Sequence, residues 1–180
     1  MNYIILDLEA TCWKHPKGRE EQEVIELGAV KLSAYGEVEE FYHSFVKPVY
    51  HPVLSHFCLD LTGITQPEVD RAPSFDRMWM DFEAWVCKDA DFKLLSWGAF
   101  DEELLVQNCR NHRVDVFWKE SFTDLKKQYR ELNELKKPVG LMKALKREGF
   151  EFDGNHHRAL DDAKNTCKIF TQYLDEWTIY

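Results

Sequence analysis

The sequence predicts an α/β fold, a five-stranded mixed sheet with helices on both faces. Three strand patterns come first, and helical and strand patterns then alternate to the end of the chain. This order is typical of a sheet that has an antiparallel part and a parallel part. A chain of 180 residues is long enough to bury a sizeable core. We expect one domain that spans residues 1–180.

The strands are predicted from apolar runs and from alternation of apolar and polar residues. Segment 3–6 is an apolar run typical of a buried strand, and segment 37–46 alternates. A break at Ala34, Tyr35 and Gly36 predicts a hairpin between the second and third strands. The predicted strands are 3–6, 23–32, 37–46, 92–97 and 117–123.

The helices are predicted from capping residues and from the spacing of leucines. Ser74 follows Pro73 as a helix cap, and Pro138 begins a helix that ends at Glu148. The predicted helices are two short ones around a glycine turn within 54–69, and longer ones at 74–87, 101–111, 124–132, 138–148 and 159–177.

Composition excludes several classes of protein. The 44% hydrophobic content excludes disorder, and no apolar segment approaches the roughly 20 residues of a membrane helix. The five cysteines lack the spacing of a metal clip or a redox pair. We therefore expect a soluble, cytoplasmic protein with reduced thiols and no membrane contact.

The charge pattern bears on nucleic-acid binding. A net charge of -9 argues against a protein that coats long nucleic acids, but it is compatible with a nuclease, whose acidic cluster adds negative charge. One stretch is rich in basic residues, which form either a local phosphate path or, in the favoured interpretation, a solvated helix face. These residues are Lys126, Lys127, Arg130, Lys136, Lys137, Lys143, Lys146 and Arg147.

Asp7 and Glu9 follow the first apolar run, two residues apart. In a strand this spacing places both carboxylates on one face, at the carboxyl end where open α/β sheets bind ligands. Carboxylates suit hard divalent ions such as Mg²⁺ or Mn²⁺. The pair is therefore interpreted as half of a metal site, with a solvated strand end as the alternative.

Asp101 is predicted to point inward. It lies in the first turn of a helix that follows Gly98, and it shares a stripe with Leu104 and Leu105. The alternative is an acid that only stabilises the helix N-terminus.

The last helix distinguishes two neighbouring aspartates. Asp162 lies beside the apolar stripe, whereas Asp161 lines up with Asn165, Lys168 and Gln172 on a face that we expect to be solvated. His156 and His157 precede the helix, so periodicity assigns neither.

Four acids that converge in a cleft oppose folding unless cations neutralise them, and two divalent ions with a nearby histidine suit phosphoryl chemistry.

These motifs resemble the DEDDh 3′-to-5′ exonucleases, a group with a ribonuclease H-like fold. The resemblance runs from segment 7–9 through segment 97–101 to His157, which precedes Asp162 by four intervening residues. Within the group the chain most resembles the Eri-type (enhancer of RNA interference) and bacterial KapD-like exonucleases, in segments 7–12, 54–58, 61–65, 69–72 and 152–154.

The resemblance implies a metal-dependent exonuclease that releases nucleoside 5′-monophosphates from single-stranded RNA or DNA 3′ ends. It assigns two Mg²⁺ or Mn²⁺ ions to Asp7, Glu9, Asp101 and Asp162. It also assigns the general base to His157 rather than His156, because the family's offset to the last aspartate fits only His157.

Substrate contacts are also suggested by the resemblance. Ala10 and Thr11 are expected to contact the terminal sugar and backbone, Phe100 a base, and Trp13 to form a stacking platform. Ordinary packing is the alternative for each.

Eri-type proteins can carry an additional nucleic-acid-binding module, and the first strand here begins near residue 2, so a preference for structured RNA is not carried over.

Two other functions remain open. A DNA-trimming or proofreading exonuclease would use the same fold and the same residues. A non-catalytic nucleic-acid-binding module would keep the fold but lose the metal site.

Overall fold

The structure is a computed structural model that describes residues 1–15, 21–88, 91–118 and 122–179. The strands within these ranges are β1 (Asn2–Ala10), β2 (Val24–Leu32), β3 (Val38–Phe45), β4 (Phe92–Ser96) and β5 (Phe122–Asp124). The helices are α1 (His56–Thr62), α2 (Gln66–Asp70), α3 (Phe75–Val86), α4 (Phe100–His112), α5 (Leu125–Leu132), α6 (Leu141–Glu148) and α7 (Ala159–Gln172). In the part of the chain described, no helix is long and apolar enough to cross a membrane.

The strands form one mixed sheet in the order β3-β2-β1-β4-β5. β2 pairs antiparallel with both β1 and β3, whereas β4 pairs parallel with both β1 and β5. The central strand β1 therefore joins an antiparallel half to a parallel half. The predicted five-stranded mixed sheet is confirmed.

Two hydrophobic cores cover the two faces of the sheet. Even-numbered residues of β1, such as Ile4 and Leu6, pack with α3 and α4, and odd-numbered residues, such as Tyr3 and Ile5, pack with α5, α6 and α7. Because side chains alternate along a strand, one apolar run supplies both cores. The face that carries Tyr3 and Ile5 is the face on which Asp7 and Glu9 follow.

Four predicted boundaries are wrong. The first strand extends past residue 6 to Ala10, because the acidic residues still pair with β2. The predicted strand 117–123 begins only at Phe122, and residues 119–121 lie outside the described residues. The apolar side chains of Phe117 and Trp118, which suggested a strand, instead pack against Trp79.

The last two predicted helices are shorter than expected. The helix predicted from residue 138 begins at Leu141, because the residue before it, Gly140, is extended with a ψ of 159°. The carbonyl of Val139 accepts a hydrogen bond from the Trp97 indole at 3.1 Å. The final helix ends at Gln172 rather than at residue 177. The apolar side chain of Trp177, which suggested a longer helix, instead folds back and stacks on Phe170.

Helix α7 approaches β2 with no room for a side chain between them. A Cβ atom built on Gly28 would lie 2.1 Å from the backbone nitrogen of Leu160 and 2.4 Å from the carbonyl carbon of Ala159. Both of these are backbone atoms, which cannot rotate away. The absence of a side chain at Gly28 therefore sets how closely α7 lies against the sheet.

We predict that Gly28→Ala destabilises the protein strongly. The added methyl group must push the start of α7 away from β2, and overpacking of this kind costs about 1–3 kcal/mol or more. Thermal or urea unfolding of the variant measures the loss.

Gly140→Ala is the matched control, because a Cβ atom there meets nothing within 4 Å. We expect its free energy of unfolding to stay within about 1 kcal/mol of wild type. Equal stability of the two variants would show that the close contact at Gly28 is unimportant.

Candidate active site

Strand β1 extends beyond its parallel neighbour, and the extension carries two acids. Pairing of β1 with β4 ends at Ile5 and Leu95, whereas pairing with β2 continues through Asp7 and Glu9. Side chains two residues apart in a strand lie on one face. Asp7 and Glu9 therefore lie side by side next to the gap where β4 has ended.

Helix α4 brings a third acid to this gap. β4 leads into α4 through Gly98, whose φ of 126° suits glycine. Asp101, in the first turn of α4, is buried, and its Oδ1 accepts a hydrogen bond from the backbone N–H of Leu8 at 3.2 Å. The inward orientation that the helical spacing predicts is the one observed.

Helix α7 brings the fourth acid. Asp162 is buried, and its Oδ2 accepts a hydrogen bond from the backbone N–H of His157 at 2.8 Å. Asp161 turns away and instead accepts one from the Asn155 N–H at 2.9 Å. The expectation that Asn165 is solvated is wrong, because Asn165 is fully buried and bonds to the backbone of Asp153.

The acids form a compact set of possible metal ligands. Among the described residues, Asp7, Glu9 and Asp162 each offer an oxygen atom, and these atoms lie within 4.8 Å of one another. Asp101 lies beside this group. The acids line a cavity of about 270 Å³. Its lining is Asp7, Leu8, Glu9, Trp97, Phe100, Asp101, Leu141, His156, His157 and Asp162.

The electrostatics show that these carboxylates resist ionisation. Burial raises the pKa of Asp7 well above its ordinary value, and the charges of Asp101 and Asp162 raise it further. Burial and then the charge of Asp162 raise the pKa of Glu9 to about 8. Burial also raises the pKa of Asp101 to about 7 and that of Asp162 to about 6. The donor set fits divalent cations, which would neutralise it.

Both histidines lie at the site. The Nε2 atom of His156 is 3.8 Å from Oδ1 of Asp162, and Nδ1 of His157 is 4.0 Å from Oε1 of Glu9. Burial, with a smaller contribution from the His156 charge, lowers the pKa of His157. An imidazole with a lowered pKa is neutral near neutral pH and is able to accept a proton.

The four suggested substrate contacts lie in different environments. Phe100 is half-exposed and lines the cavity. Ala10, Thr11 and Trp13 do not line it. The Thr11 hydroxyl accepts a hydrogen bond from the Glu23 N–H at 2.9 Å, and Trp13 packs edge-on against His51.

Sequence patterns did not single out several residues at or near the site. Trp97, which begins the 97–101 motif, and Leu141, which was predicted only to lie in a helix, add apolar walls to the cavity. The thiols of Cys12 and Cys58 share a hydrogen bond that the spacing of the cysteines in the sequence does not indicate. Glu26 is buried opposite Glu9. In the sequence, only its position on a predicted strand, two residues before a glycine, could have drawn attention to it.

A larger depression of about 810 Å³ lies between α5 and the C-terminal segment. Its lining mixes Glu102, Glu131 and Glu176 with Lys127. Asp124 in this lining caps α5 by accepting a hydrogen bond from the Lys127 N–H at 3.0 Å. This depression brings together no cluster of acids like that of Asp7, Glu9 and Asp162, so the acidic cavity is the better candidate for chemistry.

Comparison with known proteins agrees with this geometry. The chain is 35% identical over 190 residues to mouse ERI1 exoribonuclease 2, covering 92% of this chain and 27% of that protein. It is 32% identical to the probable 3′-5′ exonuclease KapD of Bacillus subtilis strain 168, covering 96% of this chain and 87% of that protein. The chain spans 27 to 35% of the length of the ERI1 exoribonuclease 2 relatives.

Solved structures and family comparison extend the match. The nuclease domain of 3′hExo, a DEDDh family member bound to rAMP, superposes with a TM-score of 0.92 at 29% identity, covering 99% of this chain and 96% of that one. The predicted ribonuclease H-like fold and the resemblance to DEDDh exonucleases are thereby confirmed. The family model described as "Exonuclease" matches residues 4–170. The chain therefore belongs to the RNase_T exonuclease family.

Proposed function

We propose that this chain is a metal-dependent 3′-to-5′ exonuclease that releases nucleoside 5′-monophosphates from RNA or short single-stranded nucleic acid. The observation that carries the proposal is the convergence of Asp7, Glu9 and Asp162 within 4.8 Å. Asp101 and two histidines line the same cavity. The match to an exonuclease family also supports nuclease activity at this site.

Asp7, Glu9, Asp101 and Asp162 would hold two Mg²⁺ or Mn²⁺ ions. Their raised pKa values support this assignment, since cations would relieve the repulsion that burial intensifies. When bound, such ions lower the pKa of a water molecule and stabilise the departing oxygen of a phosphodiester.

His157 would act as the general base. Its lowered pKa keeps the imidazole neutral, and its Nδ1 lies 4.0 Å from Oε1 of Glu9, at the mouth of the acid cluster. His156 contacts Asp162 instead, which suits a role in orienting that carboxylate.

Two apolar residues of the cavity support binding of a 3′ end. Phe100 presents a half-exposed ring beside Asp101, where a base can stack, and Leu141 provides an apolar wall. Ala10 ends β1, Thr11 and Trp13 follow it, and all three would contact the substrate only at the edge of the site. The net charge of -9 supports short or single-stranded ends over long duplexes.

Residues 1–180 would act as one exonuclease domain. We also propose a cytoplasmic location, which the free cysteines support, since thiols stay reduced in that compartment.

We predict that the protein shortens a 5′-labelled single-stranded RNA from its 3′ end when Mg²⁺ or Mn²⁺ is present. Asp7→Asn and Asp162→Asn should reduce the rate by about a thousandfold or more, because each loses metal stabilisation worth several kcal/mol. Gel electrophoresis of the products measures the rate, and a matched DNA strand tests sugar preference.

Asp161→Asn is the control for Asp162→Asn, because it is adjacent in sequence but turns away from the cavity. Its rate should stay within about threefold of wild type. Full-length RNA after incubation of the wild-type protein with either metal would contradict the proposed function.

We predict that His157→Ala lowers kcat by about a hundredfold or more, because general base catalysis is lost. Mn²⁺ affinity should change little. His156→Ala is the matched comparison, and single-turnover kinetics separate binding from cleavage. If His156→Ala were the more damaging variant, the base would be assigned to the wrong histidine.

We predict that the metal-free protein becomes less stable as pH rises through the range in which its acids titrate. The pKa of Glu9 rises from 4.5 to about 8, and that of Asp101 from 3.8 to about 7. Groups with a raised pKa bind protons on folding, so their contribution is full at low pH and is lost as pH approaches the folded value.

Asp7→Asn isolates this effect from other titrations. In EDTA it should raise the melting temperature more at about pH 8 than at about pH 5.5, because it removes one repelling charge. It should also abolish the stabilisation by Mn²⁺ that wild type shows at the higher pH. A melting temperature that Asp7→Asn lowers at both pH values would refute the repulsion.

A further inference from the structure

Glu26 is a buried acid that the proposed chemistry does not use. Only 1% of its surface is exposed, and it lies directly opposite Glu9 across the β1–β2 pair. Like charges opposite each other in a sheet are destabilising. A glutamate in this position needs a compensating role.

The partners of Glu26 keep it ionised, in contrast to its acidic neighbours. Burial opposes ionisation, but hydrogen bonds from His43, Arg158 and the Ala159 backbone outweigh it and hold the pKa of Glu26 below its ordinary value. The carboxylate accepts bonds from Arg158 at 3.0 Å from Nη2 and at 3.2 and 3.3 Å from Nε. The Nε2 atom of His43 lies 2.7 Å from it.

These contacts anchor the start of α7. The Ala159 N–H, one of the free amides at the helix N-terminus, donates to Glu26 Oε2 at 3.0 Å. The Arg158 side chain bonds to the same carboxylate, and this pairing raises the pKa of its guanidinium. One buried carboxylate on β2 therefore fixes Arg158, which caps α7, and Ala159, the first residue of the helix.

The anchored residues lie between His157 and Asp162. His157 has a φ of 65°, a left-handed conformation that is strained for a residue other than glycine. Such a conformation persists only where surrounding contacts impose it. On one side the His157 N–H donates to Asp162, and on the other side Glu26 holds the next two residues.

We propose that Glu26 is a positioning residue, which acts through Arg158 and Ala159 to place His157 and Asp162 against Glu9. The inference rests on the proposed function of the site, and it adds a residue that touches neither a metal nor a substrate. Gly28, two residues along the same strand face, supports it by allowing Leu160 to approach the sheet. Partners of this kind typically change metal affinity or activity by about 10–100-fold when removed.

The competing explanation is that Glu26 acts only through its charge. Two variants separate the explanations, because Glu26→Gln removes a negative charge and Arg158→Gln removes a positive one. A charge effect predicts that Mn²⁺ affinity falls in the first and rises in the second. Positioning predicts that both variants bind Mn²⁺ about tenfold or more weakly than wild type.

Calorimetric titration of the full chain with Mn²⁺ measures both affinities without any substrate. Glu23→Gln is the control for loss of a buried glutamate: Glu23 bonds to the backbone N–H groups of Tyr50 at 3.0 Å and His51 at 2.6 Å, away from α7. It should lower the melting temperature but leave Mn²⁺ affinity within about twofold of wild type. Opposite shifts for Glu26→Gln and Arg158→Gln, or no shift in either, would overturn the proposal.

Kinetics add a test that a purely structural role would not pass. In saturating Mn²⁺, where weaker metal binding no longer limits the rate, Glu26→Gln should lower kcat about tenfold in the wild-type background but have little effect when His157→Ala is already present. KM for a short RNA should stay within about twofold of wild type. Full additivity of the two substitutions would exclude coupling through His157.

The two proposals fail in different ways. Wild type that binds Mn²⁺ but cleaves no nucleic acid would refute the exonuclease function and leave the calorimetric test of Glu26 intact. Cleavage by wild type together with unchanged Mn²⁺ affinity and kcat in Glu26→Gln would refute only the positioning role.

Discussion

Repulsion among buried carboxylates is the constraint on which the site depends. Asp7, Glu9, Asp101 and Asp162 converge where water is scarce, and their pKa values rise because ionisation there is costly. The fold tolerates the cluster because two sizeable cores on the faces of the sheet supply the stability that the cluster removes. Cations would turn this local cost into binding free energy, and on the proposed function metal binding and folding would be thermodynamically linked.

The geometry of the cluster depends on how three elements end and begin. β4 stops pairing with β1 at Ile5, α4 starts through Gly98, and α7 lies against the sheet where Gly28 leaves room. None of these features is chemical in itself. The end of β4 leaves a gap beside Asp7 and Glu9, α4 brings Asp101 to it and α7 brings Asp162. A shift of α7 would separate the oxygen atoms of Asp7, Glu9 and Asp162 that now lie within 4.8 Å.

Local patterns predict local features well here, because period-two and period-3.6 spacing reports which face of an element is buried. The strand face of Asp7 and Glu9 and the inward turn of Asp101 and Asp162 follow from that spacing alone. Asn165 was misplaced because spacing does not reveal that a polar side chain can be buried when it bonds to a distant backbone segment. Trp118 suggested a strand for a similar reason. A buried apolar residue in a loop gives the same local sequence pattern as one in a strand.

Glu26 shows why the rest of the site escapes sequence analysis. Its partners are 17 and 132 residues away in the chain, so no local pattern connects them. Its pairing with Arg158 also has an electrostatic consequence. Arg158 follows His157 directly, but its charge is neutralised by Glu26, so it is not free to bind phosphate. Among the described residues that line this acidic cavity there is no Lys or Arg. On the proposed function, bound cations would therefore supply the attraction for a phosphodiester there. Substrate binding would then depend on metal more strongly than on salt-screened surface charge.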